Sequence, residues 1–214
     1  MLNVLVSTAA LMLMSPVAFA HAAHAAHAGH AGHGGTGFAV GIAHPVEGMD
    51  HFLAMIAVGL LAVRCASRST VVANLTNNRQ ALWQIPATFM AAMILGGGLA
   101  WAGVPLPLAE WGIALSVLVF GVLVALGNAP RIWVANVVVA LFALLHGHAH
   151  VAEMDGGNVA VYMGGFLVTT VALHAVGIGS GWMLSSALKQ TPIRVAGSSV
   201  AAVSAVLFYG MVAG

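Results

Sequence analysis

Apolar residues run through this chain in long blocks, and lysines and arginines fall only at or between the ends of those blocks. Six such blocks lie at about 44–63, 82–102, 108–127, 132–150, 159–187 and 194–213. Each is close to the ~20 residues that cross a ~30 Å hydrocarbon core at ~1.5 Å per residue. The pattern predicts an all-α fold: a polytopic bundle of six transmembrane helices filling residues 38–214. Most blocks carry internal glycines, as at Gly96-Gly97-Gly98, Gly164-Gly165, and Gly177, Gly179 and Gly181. Small residues let membrane helices approach closely. The fifth block is the longest, and those last glycines make it the candidate for a broken helix.

Composition narrows the class further. Hydrophobic residues make up 61% of the 214 positions and charged residues 5%. So little charge cannot coat a water-soluble core. The formal net charge is +1, which supplies no basic field for nucleic acid. The single cysteine, Cys65, excludes an internal disulfide and a cysteine-rich zinc site. The longest joint, roughly 64–80, is too short to fold alone, which argues against an enzyme with a soluble catalytic head.

The N-terminus follows a different pattern. Residues 2–14 are apolar, and Pro16 and Ala18-Phe19-Ala20 follow as an A-x-A cleavage pattern. Residues 1–20 read as a secretory signal peptide whose removal exposes His21. No Lys or Arg precedes the apolar run, so an uncleaved first membrane helix is the competing reading. Residues 21–37 form a His-rich, disordered extracytoplasmic segment with His21, His24, His27, His30 and His33 spaced by three among Ala and Gly. Such tracts bind transition metals through neutral imidazole, here as a weak trap, unless the segment is only a polar spacer.

Charge placement orients the blocks. All six basic residues fall in alternate joints: Arg64, Arg68 and Arg79, then Arg131, then Lys189 and Arg194. Basic loops are retained in the cytoplasm. Glu47, Asp50, Glu110, Glu153 and Asp155 lie at the opposite ends, as do all the histidines except His174. Six helices after a cleaved signal place both termini outside, and the expected location is the bacterial inner membrane with periplasmic termini.

The chemistry gathers at those outer ends. The first block opens His44-Pro45-Val46-Glu47-Gly48-Met49-Asp50-His51. Pro45 suits a first helical turn. His44 and His51 are two turns apart and share a face of one helix, with Asp50 beside them roughly 10 Å below its start. Ionisable groups at such depth face a cavity or the bundle interior. The fourth block ends His146-Gly147-His148-Ala149-His150-Val151-Ala152-Glu153. His146 and His150 stand at i and i+4, and Glu153 extends the stripe if the helix continues that far. Such a pair is a common helical chelate for a transition metal. The candidate metal ligands are His44, Asp50, His51, His146, His150 and Glu153, with Glu47, His148 and His174 as further candidates. The two stripes meet only if their helices are neighbours. Imidazole with carboxylate suits Ni, Co, Zn or Fe rather than Ca or Mg. Met49 and Met55 keep copper open.

These two motifs resemble the HupE/UreJ family. His44 to His51, as H-x5-D-H, and the continuation 52–60 look like its first-helix signature. Residues 145–153 are similar to its second, F-H-G-x-A-H-G-x-E, with Leu145 and Val151 replacing a Phe and a Gly. Residues 173–177 are also similar to its fifth helix. The resemblance covers about residues 38–213. It implies a secondary permease for nickel or cobalt with no resident cofactor, linked in many members to hydrogenase or urease maturation proteins.

The expected sequence of events is capture by the tail, loading at the outer cluster, and inward movement along a polar seam that includes His174. Imidazoles must be deprotonated to bind, so loading weakens as pH falls. The absence of a Walker A sequence excludes a P-loop ATPase. Two other readings stay open: a metal-binding accessory protein that does not transport, and a membrane metal or haem redox protein.

Overall fold

A computed structural model describes residues 37–69, 75–154, 156–186 and 190–213. The expected signal peptide, the histidine tail and the side chains of Arg68, Arg79, Asp155 and Lys189 lie outside the described residues. Seven helices and no strands occur among the described residues: α1 (Phe38–Glu47), α2 (Met49–Ser69), α3 (Leu75–Trp101), α4 (Ala109–Ala125), α5 (Ile132–Ala152), α6 (Val159–Ser186) and α7 (Thr191–Ala213). Five of them, α2, α3, α5, α6 and α7, are long and apolar enough to cross a membrane. The sixth apolar helix, α4, has 17 residues, about 26 Å at the helical rise.

The most buried helix is α2. It packs against α3, α4 and α6, while α3 pairs with α5, α4 with α7, and α1 with α6. Lipid tails are as apolar as leucine, so helix association depends on close backbone packing. Glycine supplies it at the two contacts that frame the site. A Cβ on Gly147 of α5 would meet the Met93 backbone of α3, and one on Gly96 would meet the Leu144 carbonyl. A Cβ on Gly59 of α2 would meet the His174 carbonyl of α6, and one on Gly177 the Ile56 carbonyl. The expected break in the fifth block is therefore corrected: α6 runs unbroken from Val159 to Ser186, and Gly177 serves the approach of α2.

The first block also differs from expectation. It forms two helices, α1 and α2, divided at Gly48, whose φ of −90° and ψ of 120° are extended. Pro45 lies inside α1, not in a first turn. His44 and His51 consequently stand on different helices, and their shared face is made by the bend. A Cβ on Gly48 would lie 2.7 Å from His51 Nδ1 and 2.9 Å from Asp50 Oδ1, so only glycine leaves room for both side chains there.

Arg64, expected in a joint, lies within α2 and is buried. Its Nε donates to the Val124 carbonyl at 3.1 Å, and its terminal nitrogens donate to Leu126, Gly127 and the Gln190 side chain. Arg194 Nε donates to the Ala125 carbonyl at 3.0 Å. The last carbonyls of a helix have no partner within it, and hydrocarbon offers no water. Two arginines complete the C-terminal end of the short α4.

Candidate metal centre

Three helices deliver one imidazole each to a single point. His44 comes from the last turn of α1, His51 from the first turn of α2, and His150 from the last turn of α5. One ring nitrogen from each lies within 4.8 Å of the others. Ring centroids are 5.8 Å apart for His44–His51, 4.6 Å for His44–His150 and 4.5 Å for His51–His150. The helices α2 and α5 touch only lightly, so the meeting depends on side chains reaching across.

Hydrogen bonds set which nitrogens are available. Asp50 Oδ1 accepts the His51 backbone N–H at 2.9 Å and lies 2.7 Å from His51 Nδ1. A carboxylate acceptor keeps the proton on Nδ1 and leaves the Nε2 lone pair open, the usual arrangement behind a metal-ligating histidine. Nε2 of His51 is buried without a hydrogen-bond partner among the described residues. His146 repeats the device one turn deeper on α5. Its Nδ1 lies 2.9 Å from the Phe142 carbonyl, which can only accept, and its buried Nε2 has no hydrogen-bond partner among the described residues. The His146 ring is 5.6 Å from that of His51 and 6.4 Å from that of His150. It sits below the three-histidine cluster and outside its 4.8 Å circle.

The other candidates separate by position. Asp50 orients His51 and is not among the three clustered histidines. Glu153 follows the end of α5 as its cap, with its N–H bonded to the Ala149 carbonyl, and its side chain is exposed. Glu47 is exposed at the end of α1. Neither carboxylate is among the three clustered groups. His148 is buried on another side of α5, where its Nε2 donates to the Val104 carbonyl at 2.7 Å. It ties α5 to the α3–α4 connection, away from the cluster. Met49 is 54% exposed, while Met55 is fully buried one turn beyond His51.

Sequence reasoning missed the aromatic wall. Phe166 of α6 lies 4.3 Å from the His150 ring and 5.9 Å from the His44 ring, and Tyr162 lies 6.1 Å from His44. Phe89 of α3 packs at 5.7 Å against His146 and 5.1 Å against His174. The only sequence signal was the i+4 spacing of Tyr162, Phe166, Thr170 and His174 along α6. A groove between α3 and α6, lined by Ile94, Gly97, Trp101, Met163 and Leu167, opens nearby and contributes no histidine or carboxylate.

An apolar bundle of membrane-length helices defines the class of an integral membrane protein, and the three imidazoles that converge at one end form a donor set of the kind borderline divalent ions favour. The HupE / UreJ protein family model matches residues 9–207, and the chain belongs to that family. It is 39% identical over 175 residues to Protein HupE of Rhizobium leguminosarum bv. viciae, which covers 81% of this chain and 85% of the relative. No solved structure matches it.

Proposed function

We propose that this protein is a secondary permease for a divalent transition metal, nickel or cobalt. It loads the ion at the outer ends of α1, α2 and α5 through His44, His51 and His150, with Asp50 orienting His51 and His146 receiving the ion next. Glu47 and Glu153 attract the cation at the mouth. The observation that carries the reading is the approach of three imidazole nitrogens, from three separate helices, to within 4.8 Å of one another. Polar groups at wet helix ends have no reason to converge in this way, and borderline divalent ions favour imidazole.

The reading includes six spans, α4 being the sixth, with the basic joints in the cytoplasm. Arg64 and Arg194 let α4 span with 17 residues by completing its C-terminal carbonyls within the protein. The histidine tail concentrates metal at the periplasmic face. Membership in the HupE/UreJ family supports a role in supplying metal to hydrogenase or urease maturation, and no enzymatic step is part of the proposal.

Uptake of radiolabelled nickel and cobalt into proteoliposomes containing the purified protein is the test. His51→Ala and His146→Ala are expected to abolish saturable uptake; an unchanged rate in both refutes the site. Binding without flux in the wild-type protein assigns it instead to a metal-holding accessory role. Deleting residues 21–33 is expected to raise the half-saturation concentration and leave maximal flux nearly intact.

A further inference from the structure

We infer that Thr170 and His174 of α6 form a second, inner station for the transported ion, reached from His146 past the ring of Phe89. The inference rests on the permease reading above.

The stripe of α6 that faces the site continues inward. Phe166 touches the outer cluster, and Thr170 and His174 follow at i+4 and i+8, on the same face by helix geometry. Both are buried, Thr170 at 0% and His174 at 2% exposure. Neither has a hydrogen-bond partner among the described residues: Thr170 Oγ1 and both ring nitrogens of His174 are unsatisfied. Each such group is costly when it stays unmatched in a dry interior. A membrane helix carries that cost where the group meets a substrate or a pathway.

Thr170 sharpens the case. A hydroxyl on a helix ordinarily bonds the carbonyl four residues back. Ser67 does so with Val63 at 2.9 Å, and Ser199 with Val195 at 3.0 Å. Thr170 makes no such bond, and its oxygen stays available. The backbone beneath His174 is also pinned, because its carbonyl lies where Gly59 of α2 makes the closest approach to α6.

Phe89 links the two levels. The imidazoles of His146 on α5 and His174 on α6 pack edge-on against this one ring on α3, at 5.7 Å and 5.1 Å. His146 Nε2, open and buried, belongs to the same group of unsatisfied atoms. A phenyl ring offers no ligand, so an ion leaving His146 for His174 has to pass around it. The ring separates the stations and makes transfer a discrete step. An imidazole nitrogen with a hydroxyl oxygen is a donor pair suited to a borderline divalent ion.

The test puts a spectroscopic ligand at the inner position. Full-length His174→Cys protein in lipid nanodiscs is titrated with Co2+, with the wild-type chain and its native Cys65 as the baseline. A thiolate-to-cobalt charge-transfer band absent from the wild type is expected. No band overturns the inner station. His174→Asn and Thr170→Val, which keep the approximate side-chain volume, guard against misfolding. They are expected to lower Co2+ uptake by at least about tenfold while the His51-dependent Co2+ affinity and the thermal midpoint stay unchanged. Wild-type flux in both variants overturns the proposal, and so does a flux loss matched by equal losses of outer affinity and stability. Co2+ binding that does not respond to His51→Ala overturns the outer site instead.

Discussion

The carboxylate of Asp50 holds His51 at two points, accepting its backbone N–H at 2.9 Å and lying 2.7 Å from its Nδ1. The bend at Gly48 makes this short loop of contacts sterically open. Asp50→Ala is expected to release the ring and lower nickel affinity about 10–100-fold, the usual cost of losing the carboxylate behind a ligating histidine. Isothermal titration in detergent measures it, and an affinity equal to wild type would remove Asp50 from the site. Asp50→Asn, which keeps an acceptor oxygen, is expected to lose less.

His148 separates stability from metal binding within one histidine-rich stretch. Its Nε2 donates to the Val104 carbonyl and it stands outside the cluster. His148→Phe is expected to lower stability by about 1–3 kcal/mol, through the orphaned carbonyl, and to leave nickel affinity unaltered. Thermal unfolding and titration of the same preparation check the two halves.

Arg64 is expected to be the least replaceable basic residue in the described chain. Arg64→Met leaves the carbonyls of Val124, Leu126 and Gly127 without their donor at ~1–3 kcal/mol each. Arg64→Lys should recover only part of this, because an ammonium lacks the planar fork that reaches several carbonyls at once. The ordering wild type, Lys, Met in thermal midpoint is the measurement.

Gly147→Val places a branched side chain against the Met93 backbone and is expected to force α3 and α5 apart. Overpacking of this kind costs about 1–3 kcal/mol or more. His146 and His150 ride on α5, so nickel affinity should fall along with stability. A variant that is destabilised but binds normally would show that the α3–α5 contact does not position the ligands.

Nickel binding is expected to weaken as pH falls through the imidazole range. A protonated ring has no lone pair, and each proton displaced by the metal steepens the dependence by up to about tenfold per pH unit. The sign follows from competition: acid favours the metal-free, protonated site. Affinity measured between neutral and mildly acidic pH tests it, and a flat profile would exclude histidine as the principal donor.

The sequence by itself determined the membrane class, the approximate extent of most helices and the stretches from which the candidate site is drawn. Those follow from local properties: an apolar block of sufficient length has to satisfy its own backbone, and clustered histidines stand out in a chain with so few charged residues. Only the tertiary structure decided how they combine. The bend at Gly48 put His44 and His51 on separate helices, which the two-turn spacing had made one face. The close approaches of Gly59 to Gly177, of Gly96 to Leu144 and of Gly147 to Met93 decided which helices are neighbours, and His150 met the first motif while Glu153 stayed exposed after the end of α5. Arg64 read as a loop charge because periodicity does not reveal that a distant helix end needs its donors. Phe89, Phe166 and Thr170 are ordinary residues in sequence, and they acquire meaning only through side chains that meet them from other parts of the chain.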